Sequence, residues 1–188
     1  MVSMQRKSFG RMVCPIARSL ECVGEWWSIL ILRDALHGLT RFDQFQKSLG
    51  IAPNTLTRRL NALVDTGVLA RRRYSERPPR DEYLLTARGR DFRPILVALL
   101  AWGNKHFAPE GPSVLLVNTK TGAAVEPILV DRASGRPIKE PEYAFAAGPA
   151  AGERTRRRYA SADRPTAPTG QRKVPANGKP PARKGSAR

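Results

Sequence analysis

Apolar residues recur through the first half of the chain at the spacing typical of α-helices. Residues 26–36 are apolar nearly all round and end at His37-Gly38, so they predict a helix buried in the centre of a core. A shorter apolar-periodic stretch, residues 14–20, precedes it. Pro15 in that stretch suits a first helical turn.

Two further helical patterns follow, separated by a turn of three residues. Residues 40–49 predict a helix with Thr40 as its N-cap and Gly50 at its end, and Pro53 opens a second helix over 54–66. The apolar positions recur at intervals of three and four: Phe42, Phe45 and Leu49, then Leu56, Leu60, Leu63 and Val64. Two helices joined by a short turn containing glycine predict a helix-turn-helix.

The pattern then changes to short β-like runs over 68–74 and 82–85. Two prolines in the intervening segment 75–80 cannot donate ladder hydrogen bonds, so this segment is predicted to be a hairpin loop. Thr86 can cap a last helix that reaches about Phe107. Pro94 should kink that helix or mark a second start.

An internal repeat follows in residues 113–143. Val117, Gly122 and Val125 recur 13 residues later as Val130, Gly135 and Ile138. Each unit predicts a strand, a turn with glycine and a second strand. We therefore expect a small pair of β-hairpins as an appendage to the helical domain.

Charge changes the picture at both ends of the chain. The formal net charge is +17 over 188 residues. Residues 144–188 carry 11 basic and 2 acidic side chains among many Pro, Gly and Ala, so a disordered basic tail is expected there. Residues 1–13 are expected to form a flexible basic arm. The folded part is then a domain over 14–111 followed by the repeat. The net charge of +17 favours polyanionic partners, nucleic acid first and an anionic membrane second.

Several function classes are disfavoured by the same composition. No run approaches the ~18 apolar residues of a membrane span, and no secretory signal follows the first residues, so a cytoplasmic protein is expected. Cys14, Cys22, His37 and His106 offer neither a disulfide framework nor four zinc ligands at suitable spacing. No nucleophile–base pair or phosphate loop is evident. We expect no catalytic residues, no metal and no cofactor.

The helix over 54–66 carries the main candidate binding surface. Opposite its apolar stripe lie Asn54, Thr55 and Arg58, while Arg59 lies on the flank. A slim helix with Arg and Asn on its outer face can enter the major groove, where Arg pairs with guanine and Asn with adenine. An ordinary solvated helix face is the alternative.

The predicted hairpin supplies the second candidate surface. Arg77 and Arg80 flank its tip and could reach phosphates or a minor groove, although basic residues also protect an exposed sheet edge. Residues 71–73 alternate between faces, so the three arginines there cannot all bind together. Arg41, at the start of the helix over 40–49, could contact a phosphate or form a surface ion pair.

Cys14 lies beside the basic arm at a predicted helix start, where positive charge favours a thiolate. It is a candidate redox sensor, and a small buried residue is the alternative.

These residues together resemble the HxlR-type winged helix-turn-helix regulators, relatives of the MarR group. The resemblance runs from Cys14 to about Gly111 and rests on the following segments: Cys14-Pro15-Ile16, Gly24-Glu25-Trp26-Trp27-Ser28, Ile29-Leu30-Ile31-Leu32-Arg33-Asp34, Gly38-Leu39-Thr40-Arg41-Phe42, Gly50-Ile51, Leu56-Thr57-Arg58-Arg59-Leu60, Gly67-Val68-Leu69, Arg77-Pro78-Pro79-Arg80, Glu82-Tyr83-Leu84-Leu85-Thr86 and Leu100-Ala101-Trp102-Gly103.

The resemblance implies a mainly α fold with a small β wing, and a homodimer formed through the first and last helices. It implies that double-stranded DNA is read by the helix over 54–66 and contacted at Arg41 and the wing. The DNA-binding candidates are therefore Arg41, Asn54, Thr55, Thr57, Arg58, Arg59, Arg77 and Arg80. Some members use the cysteine matching Cys14 as an oxidant sensor, and others respond to small molecules.

The chain departs from the family pattern at three places. Ala52 stands where a polar cap usually precedes the recognition helix, which weakens that helix start by ~1 kcal/mol. Thr121-Gly122 and Ser134-Gly135 stand where some relatives have Cys-Gly pairs, so the repeat should hold without metal. The basic tail lies outside the pattern.

Two functions therefore remain open on the sequence. The first is a sequence-specific regulator acting as a homodimer on a pseudo-palindromic operator, responsive to redox or to a ligand. The second is a non-specific architectural nucleic-acid-binding protein driven by the basic tail.

Overall fold

The computed structural model describes residues 8–160, and its elements follow the predicted order. They are α1 (Pro15–Val23), α2 (Trp26–Leu36), α3 (Phe42–Leu49), α4 (Pro53–Asp65), β1 (Leu69–Glu76), β2 (Pro79–Leu85), α5 (Ala87–Arg90), α6 (Arg93–His106) and α7 (Glu153–Tyr159). Residues up to Ile138 form one compact unit and those from Lys139 a second. Of the predicted arm (1–13) and tail (144–188), residues 1–7 and 161–188 lie outside the described residues. The described end of the arm is tied to α1, because the Phe9 N–H donates to Glu21 Oε2 at 2.7 Å and the Met12 carbonyl accepts from Arg18 Nε at 2.6 Å.

Helix α2 is the centre of the first unit, as its apolar pattern predicts. Ile31 and Leu32 are fully buried and belong to one cluster with Phe45 of α3 and Leu56 of α4. Full burial of each such side chain contributes about 1.5–3 kcal/mol. A single apolar core therefore packs against the inner faces of α3 and α4, the two helices of the helix-turn-helix.

The start of α3 differs from the sequence prediction. Thr40 is not the N-cap, and Arg41 occupies that position. Gln44 reaches back, and its Oε1 accepts hydrogen bonds from the backbone N–H of Thr40 at 3.0 Å and of Arg41 at 2.9 Å. The Thr40 carbonyl meanwhile accepts from the Tyr83 N–H at 2.7 Å, which ties the helix start to β2. The capping side chain is thus inside the helix rather than before it.

The wing is an antiparallel hairpin of β1 and β2 that extends further than predicted. Glu76 pairs with Pro79, so the connection is two residues long rather than the six of the predicted loop 75–80. The prediction failed because each strand of a two-stranded sheet has one free edge, where a proline without an N–H is tolerated. The register is irregular between Arg73 and Ser75, which leaves Tyr74 as an extra residue in β1.

Thr86 caps the segment after the wing, as predicted, and Pro94 marks a second helix start. The Thr86 hydroxyl accepts a hydrogen bond from the Gly89 N–H at 3.1 Å and opens the short α5. Gly89 is packed so closely that an added Cβ would lie 2.3 Å from the Val68 carbonyl oxygen. The chain then restarts as α6, with Pro94 in its first turn.

The 13-residue repeat folds as two matching turns. Gly122 N–H donates to the Asn118 carbonyl at 2.8 Å, and Gly135 N–H donates to the Asp131 carbonyl at 2.7 Å. Both glycines have positive φ, +71° and +68°. The predicted strands reduce to one bridge in each unit, Val117 with Ala124 and Val130 with Pro137. Hairpins this small have too little apolar cover to extend their ladders.

Helix α7 lies in the second unit, within the segment predicted to be disordered. Glu153 and Arg157, four residues apart, form an ion pair of 2.8 Å along the helix. Opposite charges four residues apart favour a helical turn in residues 153–159, whereas the prediction of disorder considered only the composition of the segment. The remainder of the predicted tail, 161–188, lies outside the described residues.

Candidate nucleic-acid interface

Helix α4 separates its apolar and polar residues onto opposite sides, as predicted. Its buried residues are Leu56, Leu60 and Leu63. Asn54, Thr57 and Arg58 are exposed, whereas Thr55 is half-buried. Ala52 is the N-cap and provides no side-chain hydrogen bond to the first turn of α4, in which Pro53 has no N–H and the Thr55 N–H donates to the Ala52 carbonyl at 3.0 Å.

Arg58 and Arg59 are neighbours with different surroundings. The Arg59 Nη2 lies 2.9 Å from Oε2 of Glu25, the N-cap of α2, and both side chains are largely covered. Arg58 is exposed and makes no ion pair with another residue of the described part of the chain. The predicted pair of DNA-binding arginines therefore divides into one outward residue and one that joins α4 to α2.

Thr57 uses its hydroxyl within the helix. Its Oγ1 donates to the Pro53 carbonyl at 2.9 Å. The methyl group and the oxygen lone pairs stay at the exposed surface. Thr57 can therefore contact a thymine methyl or accept a hydrogen bond, but its donor is already engaged.

Arg41 connects the start of α3 to the wing. Its guanidinium lies over the Tyr74 ring, 4.7 Å from the ring centroid. Its backbone forms an isolated antiparallel bridge with Glu82 of β2. The extra residue in β1 thus presents an aromatic face that orients Arg41, and its stacked guanidinium keeps donors at its edge for a phosphate.

The arginines of β1 are engaged within the protein. Arg71 donates to the Asn61 side chain of α4, Arg72 pairs with Glu82 at 2.7 Å, and Arg73 pairs with Asp81 at 3.1 Å. The hydrogen bond and the charge of the Asp81 carboxylate raise the pKa of Arg73. These three arginines therefore brace the wing.

Arg77 and Arg80 remain at the tip of the wing. Both are exposed, and neither forms an ion pair within residues 8–160. The sequence singled out these two arginines but missed the bracing carboxylates Asp81 and Glu82. Their signal was the cross-strand register Arg72–Glu82 and Arg73–Asp81. This register depends on the irregularity at Tyr74 as well as on the two-residue connection, because a regular hairpin would pair Arg73 with Glu82.

The two thiols differ in exposure. Cys14 is exposed at the N-cap of α1, whereas Cys22 is half-buried. They lie eight residues apart along one helix, which places their Cα atoms ~12 Å from each other. A disulfide needs a separation of about 4.4–6.8 Å, so the two cannot pair while α1 is intact.

The described residues also bear on other site types. No group of three or more His, Cys, Asp or Glu side chains within residues 8–160 is arranged to hold a metal ion. Over the same residues, no helix combines the length and apolarity needed to cross a bilayer.

Known proteins with similar sequences and structures share this architecture. A family model described as HxlR-like helix-turn-helix matches residues 22–111. An uncharacterised HTH-type transcriptional regulator of Mycobacterium tuberculosis is 42% identical over 124 residues, which is 65% of this chain and 78% of the relative. Another, of Synechocystis, is 42% identical over 93 residues, covering 49% of this chain and 69% of that protein.

Among solved structures, a candidate transcription factor of Pseudomonas aeruginosa is 57% identical with a TM-score of 0.58. It aligns with 77% of this chain and 99% of its own. A second candidate transcription factor is 40% identical with a TM-score of 0.67, over 74% of this chain and 99% of its own. Both alignments extend beyond the helix-turn-helix.

Proposed function

The chain belongs to the HxlR-like helix-turn-helix family of transcriptional regulators, and we propose that it acts as a homodimer on a pseudo-palindromic DNA operator. In this proposal the recognition helices of two copies enter successive major grooves about 34–36 Å apart. Its place of action is the bacterial cytoplasm, on nucleoid DNA.

The single observation that carries the proposal is the outer face of α4. Asn54, Thr57 and Arg58 share exposure to solvent while the opposite side of the helix is buried. Arg58 is the residue best suited to donate to the O6 and N7 atoms of guanine, because no ion pair within the described chain holds its guanidinium. Asn54 and Thr55, in the first turn, would read an adjacent base in this proposal.

Two other surfaces fix the position of α4 on the duplex. Arg41 would contact a phosphate beside the start of α3, and Arg77 and Arg80 would reach the backbone or the neighbouring minor groove. The hydrogen bond from Tyr83 N–H to the Thr40 carbonyl supports a joint role, because it links the wing to the helix-turn-helix.

Exposed apolar residues support the homodimer. Helix α6 has no buried residue, and Trp102 is 53% exposed. On α1, Ile16 is 64% exposed. Faces of this kind on a folded protein usually mark an interface, and a twofold pairing of α1 and α6 would cover both while presenting two α4 helices to one duplex.

The test is selection of binding sites from random duplex DNA by the full chain, followed by affinity measurements on single-base variants. Arg58→Ala should flatten the preference at one base pair per half-site, worth about 1–3 kcal/mol. Arg132→Ala is the matched control, since Arg132 is an exposed arginine in the repeat. A selected motif without twofold symmetry, or an unchanged preference in Arg58→Ala, would contradict the proposal.

Cys14 is the proposed site of redox response. Its exposed thiol is open to oxidants, and Cys22 lies too far away to form a disulfide with it in the intact helix. Mild peroxide treatment should change operator affinity in the wild type and leave the Cys14→Ser variant unchanged. Equal responses in both proteins would exclude Cys14.

A second function, non-specific nucleic-acid binding, is favoured by the charge of residues 144–188, with 11 basic and 2 acidic side chains. Phosphate contacts of this kind release counterions and carry no sequence information. Competition between the selected duplex and random DNA separates the two functions, because a purely architectural protein would be displaced equally by both.

A further inference from the structure

A cavity of about 430 Å³ lies between α2, α6 and the segment that begins the repeat. Its volume falls within the range of ~300–1,000 Å³ that is typical of small-molecule sites. Most of its lining is aliphatic, including Leu30, Leu36, Leu96, Leu100, Val114 and Leu115. An occupant of this cavity must therefore bury a sizeable apolar part.

The polar groups of the lining are basic. They are Arg33 from the last turn of α2, His37 at the C-cap of that helix and Arg93 from the start of α6, and none of the described residues that line the cavity is acidic. The Arg33 guanidinium forms an ion pair of 2.8 Å with Asp34, whose side chain is buried and does not line the cavity. Arg93 makes no ion pair with any residue between 8 and 160, so its positive charge is uncompensated.

The basic and apolar parts of the lining are separated along α6. Arg93 is the first residue of the helix, and Leu100 follows seven residues later, ~10 Å further along the axis. Beyond it, the Asn104 Nδ2 donates to the Val114 carbonyl at 2.9 Å, which holds the repeat segment against the far end of α6. The cavity is therefore cationic at the start of α6 and apolar toward its end.

We propose that this cavity binds a small amphipathic carboxylate, with its head at Arg93 and an aliphatic tail of about ten ångströms among the leucines of α2 and α6. A guanidinium donates two parallel hydrogen bonds to a carboxylate, and burial of the tail removes apolar surface from water. The first turn of α6 adds the positive end of its helix dipole beside the head. Nothing in the lining favours a cationic ligand.

A ligand bound in this cavity would contact α2 and α6, the helices through which regulation of DNA binding would act. α2 packs against α3 and α4 in the core, and α6 carries the exposed apolar face. A ligand that contacts both α2 and α6 is placed to couple the recognition helix to dimer geometry. This consequence rests on the proposed function, whereas binding itself does not.

The experiment uses the full chain without DNA and sodium octanoate as the probe, followed by isothermal titration calorimetry. Octanoate should bind, while 1-octanol, which has the tail without the charge, and acetate, which has the charge without the tail, should bind at least about tenfold more weakly. Because no DNA is present, failure here leaves the proposed regulator function untouched.

Variants then test the placement of the ligand. Arg93→Gln should weaken octanoate binding about tenfold, while Arg132→Gln, the exposed matched control, should leave it unchanged. Val97→Phe, which fills the apolar part of the cavity, should weaken octanoate and leave the thermal midpoint of the free protein near that of the wild type. If Val97→Phe does not fold, Arg93→Gln alone decides.

Three results would overturn the proposal. They are no octanoate binding at millimolar concentration, equal binding of octanoate and 1-octanol, and an Arg93→Gln variant that binds octanoate as the wild type does. A second copy of the chain seated over the cavity would give the first of these results.

Discussion

Replacement of Arg59 by alanine should destabilise the protein without changing which DNA sequence it prefers. The Arg59 and Glu25 side chains are 23% and 16% exposed and lie 2.9 Å apart. An exposed ion pair contributes about 0.2–1 kcal/mol, and loss of one partner from a buried pair costs about 3–5 kcal/mol. A pair with this intermediate exposure should therefore cost about 2 kcal/mol when Arg59 is truncated, part of it from packing of the aliphatic stem.

The assay is urea unfolding of the wild type, of Arg59→Ala, of Glu25→Gln and of the double variant, with tryptophan fluorescence as the signal. The double-mutant cycle should give a coupling of about 1–2 kcal/mol between the two residues. Arg58→Ala is the matched control, because it removes the neighbouring arginine from the exposed face. It should change stability by less than about 0.5 kcal/mol and should alter base preference instead.

The outcome that refutes this reasoning is a reversal of the two variants. If Arg59→Ala kept the wild-type free energy of unfolding and lost base preference, the Glu25 pair would have no structural role. Arg59 would then be a DNA-reading residue, as the resemblance to the HxlR-type regulators implies.

Three further changes have defined outcomes. Gly89→Ala should lower the free energy of unfolding by about 1–3 kcal/mol, because the added Cβ would lie 2.3 Å from the Val68 carbonyl oxygen. Thermal melting measures this loss, and Gly148→Ala is the control, since its added Cβ meets nothing within 4 Å. Hydrogen bonds from Ser134 and from the backbone lower the pKa of Asp131. The ionised carboxylate therefore stabilises its turn at pH values above the ordinary carboxyl pKa of about 4, and this stabilisation is lost as pH falls through the lowered pKa. The amide protection factors of that turn, in which the intrinsic pH dependence of exchange is divided out, should fall on acidification while those of the Asn118 turn stay constant, and equal behaviour of the two turns would contradict the assignment. Removal of residues 144–188 should weaken binding to all duplexes and reduce the salt dependence of binding while the preferred sequence is kept, as filter binding across salt concentrations would record.

The helical part of the fold could be predicted because its apolar spacing reflects burial directly. Ile31, Leu56 and Leu60 occupy the core positions that their periodicity indicates. The bounds of the helix-turn-helix followed from Pro53 and the glycines that end each pattern. Local chemistry and packing agree in these elements, so the sequence alone was sufficient.

The remaining features depend on contacts between residues distant in the chain. The cap of α3 was misplaced because Gln44, from inside the helix, reaches both Thr40 and Arg41. The role of Arg59 depends on Glu25, which lies 34 residues earlier and belongs to another helix. A helical wheel places a side chain on a face but does not show what the rest of the protein puts there.

The hydrogen bond between Tyr83 and Thr40 makes the wing a lever. Tyr83 lies four residues after Pro79, the first residue of β2, so the hairpin extends ~13 Å from that bond to the tip that carries Arg77. A rotation of α3 by about ten degrees, transmitted through the bond, would displace the tip by ~2 Å. A small tilt of a helix packed on the core would thereby change which phosphate oxygens the wing can reach.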